Sequence, residues 1–233
     1  MKANFVANVS HELRTPLTHV KGYIELLSAG ALGPLTDEQE NALQVSERAT
    51  ARLESLIDNL ILFSLAARGE MTLRLTSVDL NKVIGEVINY SLPKAQDRNV
   101  TFNYEVRPDT PFVQADEEKL SWAILQLLDN AIKFTPSGGR VNLTVENETP
   151  TLVMVSITDN GIGIPESRMK EVFEPFHQLD ASSTRRYGGT GLGLALVKEI
   201  ISAHGSMVEV NSEEGKGSTF FFPLLAADVE NKQ

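Results

Sequence analysis

The sequence contains no cysteine in its 233 residues, which excludes disulfides, thiolate metal sites and cysteine nucleophiles. Long apolar runs are also missing, and the longest, such as residues 60–67, are far too short to span a bilayer. Basic residues are few, since 21 lysines and arginines accompany 31 acidic residues and leave a net charge of −10. A long nucleic-acid-binding patch is therefore not expected. Any phosphate-bearing ligand would have to be bound by a few local cations and by backbone amides.

The first region, residues 1–68, has the pattern of two helices. Apolar side chains recur every three or four positions from Phe5 to Leu27 and again from Leu43 to Phe63. A stretch with glycine and proline between them should end the first helix, and Thr36 with Gln39 predicts a capping box for the second. One hairpin cannot bury two apolar faces, so we expect two copies to form a dimeric four-helix bundle. Packing of the hairpin against the rest of the chain is the alternative.

The second region, residues 73–226, follows a short predicted linker at 67–72 and has a mixed pattern of helices and strands. The helices are predicted to run from Asp79 to about Gln96, from Asp116 to about Phe134 and from Leu192 to Ala203. Strands are predicted at residues 100–106, 141–145, 152–158, 207–210 and 218–222. Because helices and strands do not alternate strictly, we expect an α/β sandwich with a mixed sheet and helices on one face.

The first chemical motif is the string FVANVSHELRTPL, from Phe5 to Leu17. Its His11 lies near the apolar stripe but has polar neighbours, so a neutral imidazole there should stay accessible as a nucleophile. Glu12 is adjacent and can hold the proton of the other ring nitrogen. Thr15 follows one turn later on the same helical face. A lone histidine on a half-buried helix is more often structural, so the catalytic interpretation depends on the complete string.

The other three histidines lack such a context. His19 is expected on the surface of the bundle, and His177 is expected to pack beside a phenylalanine-containing motif. His204 precedes a glycine at a helix end, where a cation would suit the helix dipole.

A second motif lies on the predicted helix that ends near Phe134. Gln126, Asn130 and Lys133 share one helical face. Amide oxygens can ligate Mg²⁺, and an ammonium group can contact phosphate oxygens. A solvated polar helix face is the ordinary alternative for this motif taken alone.

Two glycine-containing segments complete the set. Asp159 follows a strand and can accept a hydrogen bond from an exocyclic amine, while Gly161 and Gly163 would let the backbone approach a flat ring. Residues 187–194, YGGTGLGL, lead into a helix and could hold phosphate through backbone amides. Alone, the first segment is also an ordinary turn and the second is weak evidence. Residues 215–219, GKGST, do not have the spacing of a P-loop.

Together and in this order, the motifs resemble the sensor histidine kinases of two-component systems. The string around His11 resembles their phosphoacceptor box, and residues 173–176, FEPF, resemble their phenylalanine box. The three later segments resemble the ATP-binding domain shared by histidine kinases, DNA gyrase, Hsp90 and MutL. Over about residues 5–224, the resemblance implies a helical dimerisation and phosphotransfer domain followed by a GHKL-type (Bergerat) α/β domain. It implies ATP and Mg²⁺ as cofactors, and a homodimer that phosphorylates itself and then a response regulator.

The resemblance also assigns roles to residues. His11 accepts the phosphoryl group, Glu12 is its acid/base partner, and Thr15 orients the water that dephosphorylates the regulator. Asn130 and Gln126 are the metal ligands, although many members have asparagine where this chain has glutamine. The residues assigned to the nucleotide are Gln126, Asn130, Lys133, Phe134, Asp159, Gly161, Gly163, Arg185, Arg186, Gly189, Thr190, Gly191, Leu192 and Gly193. Residues 178–188 correspond to the lid over ATP.

Two other functions stay open at this point. A conformational ATPase of the same fold would hydrolyse ATP without phosphorylating itself, but such enzymes activate water with a carboxylate where this chain has Gln126. A non-catalytic dimeric scaffold would not need Asn130, Asp159 and an intact glycine loop. We expect the segment to be cytoplasmic and free of membrane contact, with any membrane anchor in a region upstream of it.

Overall fold

The chain folds into two compact units, residues 1–71 and 72–233. The computed structural model describes the backbone of residues 2–177 and 191–227, and the side chains of residues 12–177 and 191–227. The division between the units falls inside the predicted linker 67–72. The functional extents 1–68 and 73–226 stay predictions. Among the described residues, no helix combines the length and the apolarity that a membrane span requires.

The first unit is a hairpin of two long helices, α1 at Lys2–Ser28 and α2 at Asp37–Ala66. The predicted capping box of α2 is confirmed. The Thr36 side chain accepts a hydrogen bond from the backbone N–H of Gln39 at 3.3 Å, and the Gln39 side chain accepts one from the N–H of Thr36 at 2.9 Å. These two bonds satisfy donors that would otherwise be unpaired at the helix start. The α2 start is therefore determined locally.

Contacts between α1 and α2 are partly apolar and partly ionic. Within the hairpin the buried apolar side chains include Leu17, Ile24 and Ile57. Arg14 pairs with Asp58 at 2.6 Å on the exposed surface, where an ion pair contributes little to stability. Several large apolar side chains stay about half exposed, namely Leu13, Val20, Tyr23, Leu26, Leu32, Val45 and Leu53.

The second unit contains a five-stranded mixed sheet in the order β2-β4-β5-β7-β6 and a separate antiparallel pair, β1 and β3. Strand β2 runs parallel to β4, and the other neighbours in the large sheet are antiparallel. The strands are β1 at Thr76–Val78, β2 at Thr101–Val106, β3 at Val113–Ala115, β4 at Arg140–Thr149, β5 at Leu152–Asp159, β6 at Glu209–Glu213 and β7 at Gly217–Leu225. The predicted mixed sheet is confirmed.

In the part of this unit that the structure describes, three α-helices accompany the sheet: α3 at Leu80–Asp97, α4 at Glu117–Phe134 and α5 at Gly193–Ala203. A short 3₁₀ helix covers Glu166–Glu171. Helix α4 packs on β4 and β5 and also contacts α3 and α5. Alternate residues of β5 and β7 are buried, as expected for strands with one face against helices. The core therefore lies between this face of the sheet and α4.

Two parts of the fold differ from the predictions. The pair β1 and β3 was not predicted, because each strand has only three residues and no alternating pattern can be recognised over that length. The strand predicted at 207–210 begins only at Glu209. Gly205 has a φ of +74° and ends α5, and the hydroxyl of Ser206 donates to the carbonyl of Pro223. Residues 205–208 therefore form the turn from α5 into β6, and pairing with β7 starts at Glu209.

His204 holds the end of α5 against the start of α4. The backbone N–H of Asp116 donates a hydrogen bond to His204 Nε2 at 3.0 Å. The other nitrogen, Nδ1, lies within hydrogen-bond distance of the carbonyl oxygen of Ile200, at 2.8 Å. The predicted position of His204 at a helix end is confirmed, since it is the C-cap residue of α5, whereas its contact with Asp116 was not predicted.

Candidate active site

A cavity of about 450 Å³ opens in the second unit, a volume typical of small-molecule sites. Its wall is formed by α4, by the segment that follows β5, by the start of α5 and by β7. The lining residues are Asn130, Ala131, Phe134, Asp159, Ile162, Gly163, Ile164, Pro165, Arg168, Leu194, Glu214, Ser218 and Phe220. Most of these side chains are apolar, and a few polar groups reach the same space. This composition suits a flat organic ring that carries hydrogen-bonding edges.

Asp159 is the last residue of β5 and is the buried carboxylate of this wall, with 7% of its surface exposed. One of its oxygens accepts a hydrogen bond from the N–H of Gly161 at 2.8 Å, and the N–H of Ser218 also donates to the carboxylate. Burial raises the pKa of Asp159 above its ordinary value, although these two backbone donors act in the opposite direction. A ligand amine that donates to this carboxylate would replace part of the hydration that folding removes.

The two glycines after Asp159 are required by close backbone packing. A Cβ at Gly161 would lie 2.5 Å from the carbonyl oxygen of Phe134, and a Cβ at Gly163 would lie 2.0 Å from the carbonyl oxygen of Glu213. Gly163 also has a φ of +66°, which a residue with a side chain rarely adopts. Gly163 lines the cavity, whereas Gly161 is buried behind the lining residues. Both positions allow the segment to lie flat against α4 and the turn before β7.

Helix α4 brings some of the predicted nucleotide residues to the cavity. Asn130 and Phe134 lie four residues apart on one face and both line it. Gln126 is one turn earlier, and its Oε1 would lie 3.0 Å from a Cβ placed on Gly193, the first residue of α5. Lys133 is not a lining residue; its Nζ lies 4.7 Å from the centre of the Phe134 ring. Asn130 and Phe134 therefore line the cavity, whereas Gln126 and Lys133 do not.

The glycine loop is described only from Gly191 onwards. Gly191 has a φ of +71° and accepts a hydrogen bond from the N–H of Phe176 at 3.0 Å. Leu192 is buried, and Leu194 in the first turn of α5 reaches the cavity. The predicted site residues Arg185, Arg186, Gly189 and Thr190 lie outside the described residues, as does the whole of the predicted lid, residues 178–188.

The phosphoacceptor segment lies on α1 in the first unit. The side chain of His11 is outside the described residues, so the structure tests only the predicted helix at this position. Glu12 and Thr15 are exposed and lie three residues apart on that helix. His19 is also exposed, as expected for the bundle surface. The helix therefore presents Glu12 and Thr15 to solvent.

Two family models match this chain. The His Kinase A phospho-acceptor domain matches residues 1–69, and the ATPase family of histidine kinase, DNA gyrase B and HSP90 type matches residues 115–228. The solved catalytic domain of the histidine kinase ThkA is 30% identical to this chain, with a TM-score of 0.58. The match includes 97% of the ThkA domain and 66% of this chain. This chain belongs to the sensor histidine kinase family.

Longer relatives match nearly the whole of this kinase chain. The sensor kinases WalK of Bacillus subtilis and of Staphylococcus saprophyticus are 34% and 37% identical over 96% and 99% of the chain, respectively. Full-length ShkA, solved in complex with AMPPNP, is 30% identical over 97% of the chain, with a TM-score of 0.82. The chain spans 36% and 37% of the two WalK proteins and 46% of the ShkA chain. The matched regions are the phospho-acceptor domain and the ATP-binding domain of a kinase core.

Sequence reasoning missed several residues of the kinase cavity. Ser218 lies opposite Asp159 in the β5–β7 register, which no local pattern encodes. Arg168 belongs to the 3₁₀ helix, an element without a periodic signal. Phe220 and Leu194 were visible only as apolar residues of a predicted strand and helix. Their contribution to the cavity depends on packing between distant segments.

Proposed function

We propose that this kinase core transfers the γ-phosphoryl group of ATP to His11 and then to an aspartate on the receiver domain of a response regulator. The observation that carries the proposal is the cavity lined by Asp159, Asn130 and Phe134, in a chain that also contains the complete phosphoacceptor string. Removal of the phosphoryl group from the regulator is part of the proposal, with Thr15 orienting the attacking water.

The cavity supports adenine as the bound ring. The buried carboxylate of Asp159 is a hydrogen-bond acceptor at a wall that is otherwise largely apolar, and adenine has an exocyclic amine beside a flat ring. Phe134 and Ile162 would pack against the ring and exclude water. The start of α5 at Gly193 would direct backbone N–H groups towards phosphate oxygens.

The amide residues fit a magnesium ion. Asn130 lines the cavity, and Gln126 places its amide oxygen beside the start of α5. Within the described residues, no cluster of three or more carboxylate or histidine ligands could bind a metal by itself. An ion held mainly by phosphate oxygens and water, with one or two protein oxygens, fits this set. When bound, Mg²⁺ would neutralise charge on the phosphates during transfer.

The transfer itself exchanges one bond for another at phosphorus. A ring nitrogen of His11 forms a P–N bond to the γ-phosphorus while the P–O bond to the β-phosphate breaks, and ADP leaves. Glu12 accepts the proton of the other ring nitrogen, which prevents a cationic ring from accumulating. In the second step the P–N bond breaks as an aspartate oxygen of the regulator attacks, and His11 is regenerated.

A homodimer is part of this proposal. The hairpin leaves Val20, Leu26, Val45 and Leu53 between 46% and 57% exposed, a large apolar surface for one pair of helices. A second hairpin would cover such residues and complete a four-helix bundle. This surface supports a homodimer over a hairpin that functions alone.

Labelling with γ-labelled ATP tests the phosphoacceptor. The substitution His11→Gln should abolish acid-labile incorporation of label and leave ADP affinity unchanged by calorimetry, because the cavity lies in the other unit. His19→Gln is the matched control, since His19 is an exposed histidine eight residues later on α1, and it should label normally. Labelling that persists in His11→Gln would refute the assignment. Release of phosphate without any labelled protein would instead indicate an ATPase.

A further inference from the structure

The cavity contains one basic side chain among its described lining residues, Arg168. The other charged lining residues are the carboxylates Asp159 and Glu214. ATP and ADP are polyanions, and the chain as a whole has a net charge of −10. A cation in the wall of this cavity is therefore a candidate ligand contact, although no sequence motif includes it.

The structure holds this arginine in a defined orientation. Its backbone N–H donates to the carbonyl of Pro165 at 2.9 Å, at the start of the 3₁₀ helix. Its Nε donates to a carboxylate oxygen of Glu171, and His177 Nε2 lies 3.6 Å from the same oxygen. The side chains of Arg168 and Glu171 are each 35% exposed, so the ion pair is partly shielded from water. Because Nε lies in the guanidinium plane, this bond restricts how the plane can turn.

The position of Arg168 along the chain indicates which part of a nucleotide it contacts. It lies nine residues after Asp159 and three residues after Pro165, the last of the lining residues Ile162 to Pro165. The phosphate end of the proposed site is at the start of α5, where Gly193 and Leu194 lie. Arg168 thus belongs to the segment that forms the wall beside Asp159. This placement favours the base over the phosphates as its partner.

We propose that Arg168 determines affinity for the purine ring by placing its guanidinium against the ring face. The inference rests on the proposed nucleotide function of the cavity and adds a residue to it. A guanidinium is planar and more weakly hydrated than an ammonium group, so it stacks on a flat ring with little loss of hydration. Glu171 is the positioning residue, because its ion pair with Nε holds the plane in place.

Nucleotide affinities of the full 233-residue chain and of its variants test this contact. Competition against fluorescently labelled ADP gives the dissociation constants of ADP, AMP and adenosine. Arg168→Gln should weaken all three by the same factor, about three- to tenfold, because the lost contact is with the base. Arg168→Lys keeps the charge but not the planar group, and it should recover less than half of the loss on a logarithmic scale. Arg107→Gln is the matched control, since Arg107 is exposed and does not line the cavity.

Two outcomes would overturn the inference. Unchanged affinity in Arg168→Gln would exclude a contact, and a loss that grows from adenosine to ADP would assign Arg168 to the phosphates. Circular dichroism shows whether each variant is folded; if Arg168→Gln is unfolded, the adenosine and ADP affinities of Arg168→Lys decide the question. Failure of the wild-type chain to bind ADP would refute the proposed function itself. If the wild type binds ADP and the Arg168 variants bind it with the same affinity, only the role of Arg168 is refuted.

Discussion

Replacing Asp159 by asparagine removes one charge from the cavity wall and keeps the size of the side chain. The carboxylate accepts hydrogen bonds from the N–H groups of Gly161 and Ser218. Asparagine has a single acceptor oxygen, and both backbone donors compete for it. If that oxygen serves the backbone, the NH₂ group of the asparagine faces the adenine amine, donor against donor. The substitution therefore removes the charge and also opposes the ligand.

The expected loss follows from the type of bond that disappears. A hydrogen bond to a charged acceptor contributes about 1.5–3 kcal/mol. The dissociation constant of ADP should therefore rise about 10- to 150-fold in Asp159→Asn, measured by calorimetry. Asp109→Asn is the control, because Asp109 is exposed, with a side-chain accessibility of 66%, and does not line the cavity.

The same substitution should change the stability of the ligand-free chain in a pH-dependent way. Since burial raises the pKa of Asp159, the folded chain keeps this proton to a higher pH than the unfolded chain. Stability therefore falls as the pH rises from the ordinary value of 3.8 through the raised folded pKa. Asparagine does not titrate, so the variant should gain stability relative to the wild type over that interval. Urea unfolding at a series of pH values measures the difference.

Two results would refute the reasoning on Asp159. Equal ADP affinity in Asp159→Asn and in the wild type would show that no ligand group donates to this carboxylate. A stability difference between the two proteins that does not change with pH would show that the carboxyl does not titrate differently in the folded and unfolded chains.

Two further predictions concern the stability of the second unit in urea. Asp116→Ala removes the acceptor for the N–H groups of Lys119 and Arg74, at 3.1 and 2.9 Å, and should lower the free energy of unfolding by about 2–3 kcal/mol. Burial alone would raise the pKa of Asp116, but these bonds and the Lys119 ammonium outweigh burial, so the pKa in the folded chain lies below its ordinary value of 3.8. The stability difference between wild type and Asp116→Ala should therefore shrink as the pH falls below 3.8. A difference that does not change with pH would contradict this account. Gly163→Ala combines a φ of +66° with a Cβ 2.0 Å from a carbonyl oxygen and should destabilise by more than about 2 kcal/mol, while Gly138→Ala, strained but in open space, should cost about 1 kcal/mol. Equal effects at the two glycines would show that the close contact at Gly163 is relieved easily.

Local signals in the sequence were sufficient for much of the fold. The capping box at Thr36 and the N-cap residues Asp79 and Asp116 each accept the bonds expected of a helix start. Such bonds join residues two or three positions apart, so they can be recognised without knowing the rest of the structure. The pair β1 and β3 depends on contacts between residues about 40 positions apart and was not predicted. The hydrogen bond between the His204 ring and the backbone of Asp116 was missed for the same reason, since the two residues are 88 positions apart.

The order of residues alone determined the two chemical parts of this kinase core, the string around His11 and the three segments that carry Asn130, Asp159 and the glycines. These parts are continuous short strings, so their chemistry can be recognised locally. The tertiary structure alone decided that Ser218 supports Asp159, that Lys133 lies outside the cavity lining, and that Arg168 belongs to that lining. The physical reason is that strand register and the packing of α4 against the sheet join segments that are distant along the chain, and no local pattern records which side chains then meet.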